Sequence, residues 1–317
     1  MEQRSLGNTG LSIAPLVFGG NVFGWTIDEK TSFDVLDAFV DHGFNAIDTA
    51  DVYSRWAPGN QGGESETIIG KWLKARPSRR ERVVIFTKVG SDMGQPGHKG
   101  LSARWIRQAV EDSLKRLGVE AIDLYFSHWP DLDTPFEETL GAYDALLKAG
   151  KIKAIGASNL DAKQLAAALA IAEHESLPAY QVLQPEYNLY DRGSYDGPLR
   201  ELCTQKGLGV VTYYSLASGF LSGKYRSQDD LAGRPRGQGV AKYLNERGER
   251  ILAALDAVCA RHGAQPAEAA LAWLMQREGV TAPIASATST AQVASFAKAA
   301  ALRLSAQDVD ELDQASA

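Results

Sequence analysis

A chain of 317 residues holds one large domain or two modest ones, and a (β/α)8 barrel of about 250 residues with extra loops fits that length. A net charge of −6 lacks the basic face that nucleic-acid partners want. The two cysteines, Cys203 and Cys259, fall in helical-looking stretches, which excludes a disulfide framework and points to buried thiols in a reducing, cytoplasmic compartment. The opening MEQRSLGNTGLS has no apolar core for a signal peptide. No run reaches the roughly 20 apolar residues of a spanning helix, so no membrane partner is expected.

Short apolar runs alternate with helix-period segments from end to end. RSLGNTGLSIAPL reads as an N-terminal hairpin turning at Asn8-Thr9-Gly10 and plugging the barrel floor. PLVFGG at 15–20 precedes a helix near 29–42, with Phe33, Leu36, Phe39 and Val40 on one face. NAIDTA at 45–50 leads to a helix near 64–75. VVIFTKV at 83–89 leads to one near 102–117, N-capped by Ser102. IDLYFSHW at 122–129, IKAIGAS at 152–158 and AYQVLQPEY at 179–187 precede helices near 136–149, 161–174 and 195–206. GVVTYYS at 209–215 leads through a long Gly-rich loop, 216–246, to a helix near 247–261. TAPIASA at 281–287 precedes the last helix near 290–300. Eight strands, each trailed by a helix, mean a parallel sheet, and eight repeats favour closure into a TIM barrel over a doubly wound open sheet. No GxGxxG follows the first strand, which removes the usual sign of a dinucleotide-binding open sheet. No linker divides the chain, so 1–317 reads as a single domain.

In such a barrel the active site lies at the C-terminal ends of the strands. Polar residues end six neighbouring strands here: Asp48 with Tyr53 just after it, Lys88, His128, Ser158-Asn159, Gln184 and Tyr213. The set makes chemical sense. A free tyrosine titrates near 10, too high for an efficient donor at neutral pH, and a nearby ammonium lowers that value. A drop of about 2–3 units, worth roughly 3–4 kcal/mol, is what Lys88 is expected to supply if Asp48 holds its charge. His128 is placed to hold a substrate oxygen near the Tyr53 hydroxyl. Ser158, Asn159 and Gln184 offer donors and acceptors for a carboxamide such as nicotinamide, and Tyr213 offers a ring to stack beneath it. Proton delivery beside a stacked nicotinamide describes carbonyl reduction by hydride. Phe23, Trp25, Trp56 and Trp129 follow strands one, two and four and are expected to line the pocket mouth. The histidines are scattered and no zinc-like spacing occurs, so no metal is expected.

The blocks that carry these residues resemble those of the aldo-keto reductase superfamily, in the family's order over residues 5–300. GFNAIDTADVY (43–53) is similar to its GxxxxDTAxxY motif, and SLKRLGVEAIDLYFSHWPD (113–131) to its SLxRLxxxxIDLYxxH segment. GESETIIGKWL (63–73), GKIKAIGASN (150–159), QPEYNLYDR (184–192) and YYSLASGFLSGKY (213–225) resemble further blocks, the last being the cofactor-covering loop. The long 216–246 loop resembles the bacterial general-reductase and potassium-channel-β-like branch. The resemblance implies an NADPH-dependent reductase of aldehydes and ketones, with small carbonyl or alcohol substrates. It implies a catalytic tetrad of Asp48, Tyr53, Lys88 and His128, and nicotinamide contacts from Ser158, Asn159, Gln184 and Tyr213. It places the pyrophosphate against Tyr214, Leu216, Ser218, Gly219, Leu221, Gly223 and Lys224, and the adenosine near Arg234, Ser286, Thr288 and Gln292.

Departures bear on the cofactor. Many relatives carry Lys or Arg, then Glu-Asn, in the block that reads SATSTAQVASF here; these positions are Ser286, Thr288, Ser295 and Phe296. Lys224 and Arg234 remain to meet a 2′-phosphate, so NADP(H) is favoured over NAD(H). The alternatives are an NADH-dependent sugar or polyol dehydrogenase, a Schiff-base aldolase with Lys88 as nucleophile, and a regulatory module that binds cofactor and turns over slowly.

Overall fold

The computed structural model describes residues 1–233 and 237–317. Two short strands, β1 (Arg4–Ser5) and β2 (Ser12–Ile13), pair antiparallel as the expected hairpin. Eight parallel strands then close on themselves: β3 (Val17–Gly19), β4 (Ala46–Asp48), β5 (Val84–Val89), β6 (Leu124–Ser127), β7 (Ile155–Ser158), β8 (Val182–Gln184), β9 (Gly209–Thr212) and β10 (Ala282–Ala285). β10 pairs with both β9 and β3, so the sheet has no edge and the open-sheet alternative is excluded.

Alternation along each strand divides the core. Val17, Ala46, Phe86, Leu124, Phe126, Ala154, Val182, Val211, Ala282 and Ile284 point inward and fill the barrel. Their neighbours Phe18, Ile47, Ile85, Tyr125, Ile155, Leu183 and Val210 point outward under the helices. Room is made where side chains crowd: a Cβ on Gly156 would sit 2.4 Å from the Phe126 ring. The hairpin contributes Leu6 and Ile13 to the inner cluster, which seats it in the barrel floor. Gly7 turns with φ +55°, and a Cβ there would meet Gly209 N at 2.4 Å, so the plug needs glycine at that point.

Around the barrel run α1 (Glu29–Asp41), α2 (Glu64–Ala75), α3 (Ala103–Leu117), α4 (Phe136–Lys148), α5 (Ala162–His174) and α6 (Pro198–Lys206). Ser102 caps α3 as expected, accepting from Trp105 N. The segment after β9 is not a bare loop. It holds 3-10 turns at Ala217–Ser222, Gln228–Leu231 and Ala241–Tyr243 and a one-turn helix, α7 (Gly237–Val240). Beyond it lie α8 (Glu246–His262), α9 (Pro266–Gln276), α10 (Thr290–Ala301) and α11 (Ala306–Ala315). α8, expected from its place after β9 to be the seventh barrel helix, is not that helix. α9 packs against β10, α8 and α10, whereas α8 packs outside with α11. Residues 268 to 275 of α9 are all buried, so it shows no polar face for a periodicity argument to find.

Candidate active site

The inward parity that fills the barrel also builds the site. Ala46 faces in, so Asp48 does; Phe86 and then Lys88; Phe126 and then His128; Ala154 and, past Gly156, Ser158; Val182 and then Gln184; Val211 and then Tyr213. The strands therefore hand six polar side chains to one layer at their C-terminal ends. Ser286 follows Ile284 by the same rule, and Gly19 admits it: a Cβ there would lie 2.6 Å from Ser286 Oγ.

Lys88 sits at the centre, fully buried. Its ammonium donates to Asp48 Oδ2 at 2.7 Å, to Thr49 O at 2.8 Å and to Tyr53 OH at 2.8 Å, which occupies all three of its protons. Gln184 Nε2 donates to the other Asp48 oxygen at 2.9 Å, and the Tyr53 hydroxyl lies 3.4 Å from Asp48 Oδ2. The Tyr53 and His128 rings stand 6.0 Å apart, so phenol and imidazole converge on one place. His128 Nδ1 is 2.9 Å from Ser91 Oγ, which leaves Nε2 for a ligand. Burial and the Lys88 charge push His128 well below its usual range, so the imidazole is neutral.

One expectation is reversed. Burial, with the adjacent Asp48 carboxylate, holds the Tyr53 phenol well above its ordinary value rather than below it. Burial likewise lowers Lys88, opposed by Asp48. The resting phenol thus keeps its proton, and what Lys88 offers is stabilisation of the phenolate left when that proton departs.

The carboxamide candidates interlock. Ser158 Oγ donates to Gln184 O at 2.7 Å; Asn159 Nδ2 donates to His128 O at 2.9 Å; Tyr213 OH donates to Asn159 Oδ1 at 2.7 Å. Asn159 holds φ +62°, in the left-handed region that Asn tolerates better than most side chains. Tyr214 is half-exposed, and its carbonyl is held by Asn188 Nδ2 at 3.0 Å. Tyr214, Ala217, Ser218 and Gly219 all have positive φ, which bends the backbone sharply after Tyr213. Lys224 folds over that bend, its Nζ 3.5 Å from where a Gly219 Cβ would be. Gly223 closes the turn with φ +75°. Leu216 is partly buried, and Leu221 is fully buried, so Leu221 can offer a ligand only its backbone. Ser286 Oγ donates to Asn21 at 2.6 Å, and Thr288 N donates to Gln292 Oε1 at 2.7 Å. Arg234 lies outside the described residues.

Three of the four aromatic candidates form a wall at the mouth. Trp56 packs edge-on against Tyr53 at 5.9 Å and Trp25 against Trp56 at 5.6 Å, while Trp129 stacks on His128 at 5.7 Å. Trp56 and Trp129 are half-exposed. Phe23 is corrected: it is wholly buried, stacked on Phe18, and backs the wall from the core.

Sequence reasoning missed the supports. Thr49 Oγ1 pairs with Ser65 of α2 at 2.7 Å, and Thr87 Oγ1 donates to Glu66 at 2.5 Å, so α2 grips the residues beside Asp48 and Lys88. Ser91, which orients His128, lies in a Gly-rich loop with no periodicity to mark it. Among the described residues no three His, Cys, Asp or Glu side chains gather as a metal site, and no helix is long and apolar enough to cross a membrane.

The model of the Aldo/keto reductase family matches residues 15–317. The chain is 35% identical to the uncharacterized oxidoreductase YrpG of Bacillus subtilis, over 96% of this chain and 92% of that one. It is 32% identical to a probable voltage-gated potassium channel subunit beta of Arabidopsis thaliana, over 94% and 91% of the two chains. It is 30% identical to protein tas of Escherichia coli K12, over 99% and 97%. An N-terminal hairpin, an eight-stranded closed barrel and a match spanning nearly the whole length lead to one assignment: the chain belongs to the aldo/keto reductase family.

Proposed function

We propose that this oxidoreductase reduces aldehydes and ketones to alcohols with NADPH, and that Tyr53 delivers the proton. The observation that carries the reading is the Lys88 ammonium, bonded at 2.8 Å to the Tyr53 hydroxyl and at 2.7 Å to Asp48. The residues present suit the cofactor. The partly buried Tyr213 ring, bonded to Asn159 among interlocked amides, fits nicotinamide, and a cation folded over a positive-φ turn fits a pyrophosphate. When bound, the cofactor supplies the hydride. Neutral His128 donates from Nε2 to the carbonyl oxygen and holds it near the Tyr53 hydroxyl. The phenol proton passes to that oxygen as negative charge develops, and Lys88 stabilises the phenolate that remains. The wall of Trp25, Trp56 and Trp129 excludes water and favours planar or apolar carbonyl compounds.

The place of Lys224 over the Ser218–Gly219 bend favours a pyrophosphate role, which leaves Arg234 for the 2′-phosphate. Lys224→Ala then weakens NADPH and NADH alike. Arg234→Ala weakens NADPH alone, by about ten- to a hundredfold for the loss of one charge-assisted hydrogen bond. The test is a carbonyl panel including 4-nitrobenzaldehyde, run with both cofactors on wild type and Tyr53→Phe. Tyr53→Phe should bind cofactor normally and lose about 10²–10⁴ in kcat. Turnover by that variant within about tenfold of wild type removes Tyr53 from the role. A wild-type preference for NADH removes the 2′-phosphate assignment.

A further inference from the structure

Two ion pairs and one unpaired acid lie side by side beneath the end of β4. In the first pair, Lys88 Nζ is 2.7 Å from Asp48 Oδ2. In the second, Arg116 Nε is 2.6 Å from Glu66 Oε2, and the other Glu66 oxygen takes the Thr87 hydroxyl. Asp51 stands beside them, 1% exposed, and neither of its carboxyl oxygens has a hydrogen-bond partner. The groups facing it are Glu66 from α2, Arg116 from α3, Lys88 from β5, and the phenols of Tyr125 on β6 and Tyr143 on α4. Both facing cations already hold a carboxylate. The Tyr125 hydroxyl is itself buried without a partner.

An ionised carboxylate in such a place would have no cation of its own and, for a donor, only the neighbouring Val52 N–H, whose pull toward the charged form is outweighed by burial. Interiors resolve that by protonating the group. We infer that Asp51 works as an uncharged carboxylic acid, a positioning residue whose neutrality leaves Lys88 balanced by Asp48 and its field directed at Tyr53. Burial, reinforced by Glu66, also pushes the Asp51 carboxyl well above the usual carboxylate range. Asp51 touches neither substrate nor cofactor. Its effect is electrostatic: a second negative charge close to Lys88 would oppose the phenolate that forms as Tyr53 gives up its proton. That catalytic half rests on Tyr53 as proton donor, whereas the protonation state of Asp51 does not.

The experiment is Asp51→Asn in the full chain. A carboxyl raised in the folded state contributes stability that is complete below its unfolded value, near 4, and is eroded as the pH rises towards the folded one. Asparagine lacks that slope. The variant should therefore gain stability relative to wild type between about pH 5 and about pH 8. On the alkaline side, where wild-type Asp51 begins to lose its proton and its charge opposes the phenolate, the variant stays uncharged. The alkaline limb of its kcat/KM profile should therefore move upward by about half a unit or more, a threefold gain on that limb. An ionised Asp51 supporting Lys88 gives the opposite signs: lower relative stability at high pH and a limb shifted down. A stability gain with an unmoved limb overturns the catalytic half alone. Should the variant fail to fold, infrared spectra decide, taken in a Glu186→Gln background because Glu186 is a second raised carboxyl. A protonated-carboxyl stretch that persists at about pH 8 supports the inference, and its absence overturns it.

Discussion

Replacing Lys88 with methionine removes one charge at nearly constant volume and tests the centre of the site. Three hydrogen bonds vanish, to Asp48, Thr49 and Tyr53. Asp48, 2% exposed, is left charged and without its cation. Breaking a buried pair from one side costs about 3–5 kcal/mol. Gln184 at 2.9 Å still donates to Asp48, which places the expected loss near the lower end, about 3 kcal/mol. For a chain of this size that lowers Tm by about 5–10 °C. The double variant Lys88→Met/Asp48→Asn carries no buried charge and should recover most of the stability while recovering none of the activity. Urea unfolding of wild type, both single variants and the double variant at one pH measures the cycle. A single-variant loss under about 1 kcal/mol, or a double variant no more stable than Lys88→Met, would show that the pair is not the buried, mutually dependent unit its geometry describes.

Three further outcomes are expected. Because His128 is held neutral, kcat/KM should run flat from about pH 6 to about pH 8, with no inflection near the ordinary histidine value of about 6.5; a clear inflection there speaks against a neutral imidazole. Burial raises Cys203 to about 12 and Cys259 to about 11, so neither thiol should react with a disulfide reagent at neutral pH until the protein is unfolded. Asp308 is held far below the usual range although burial opposes it, by Ser305, His262 and Arg261. Its stabilisation is present above the unfolded carboxyl value and lost as the pH falls through the folded one. Asp308→Asn should therefore cost about 2 kcal/mol at neutral pH and flatten the acid limb of stability, read from thermal melts across the acid range.

The barrel was legible because its strands are short apolar runs buried on both sides, and because one period-2 rule carries Phe86 to Lys88 and Phe126 to His128. The placing of Asp48, Lys88 and His128 together at the strand ends was legible for the same reason. Four things were not. α9 is wrapped on every side, so its sequence shows an apolar run without the stripe that announces a surface helix. α11 did carry a signal, the Ser305–Asp308 capping box, which went unread beyond the last strand–helix unit. The direction of the Tyr53 shift was misjudged because sequence reveals a nearby lysine but not the depth of burial that opposes it. Phe23 was misplaced because following a strand does not tell whether a ring turns outward or back onto Phe18.

The hairpin that seats Leu6 and Ile13 in the barrel floor has a kinetic corollary. A barrel stoppered by its own N-terminus has a single doorway, the rim where the tryptophans stand. Under the proposed reaction, cofactor and carbonyl would share that doorway, so the deeper ligand would arrive first and depart last, and a large excess of the outer one would trap the inner one, slowing the cycle by congestion rather than by chemistry.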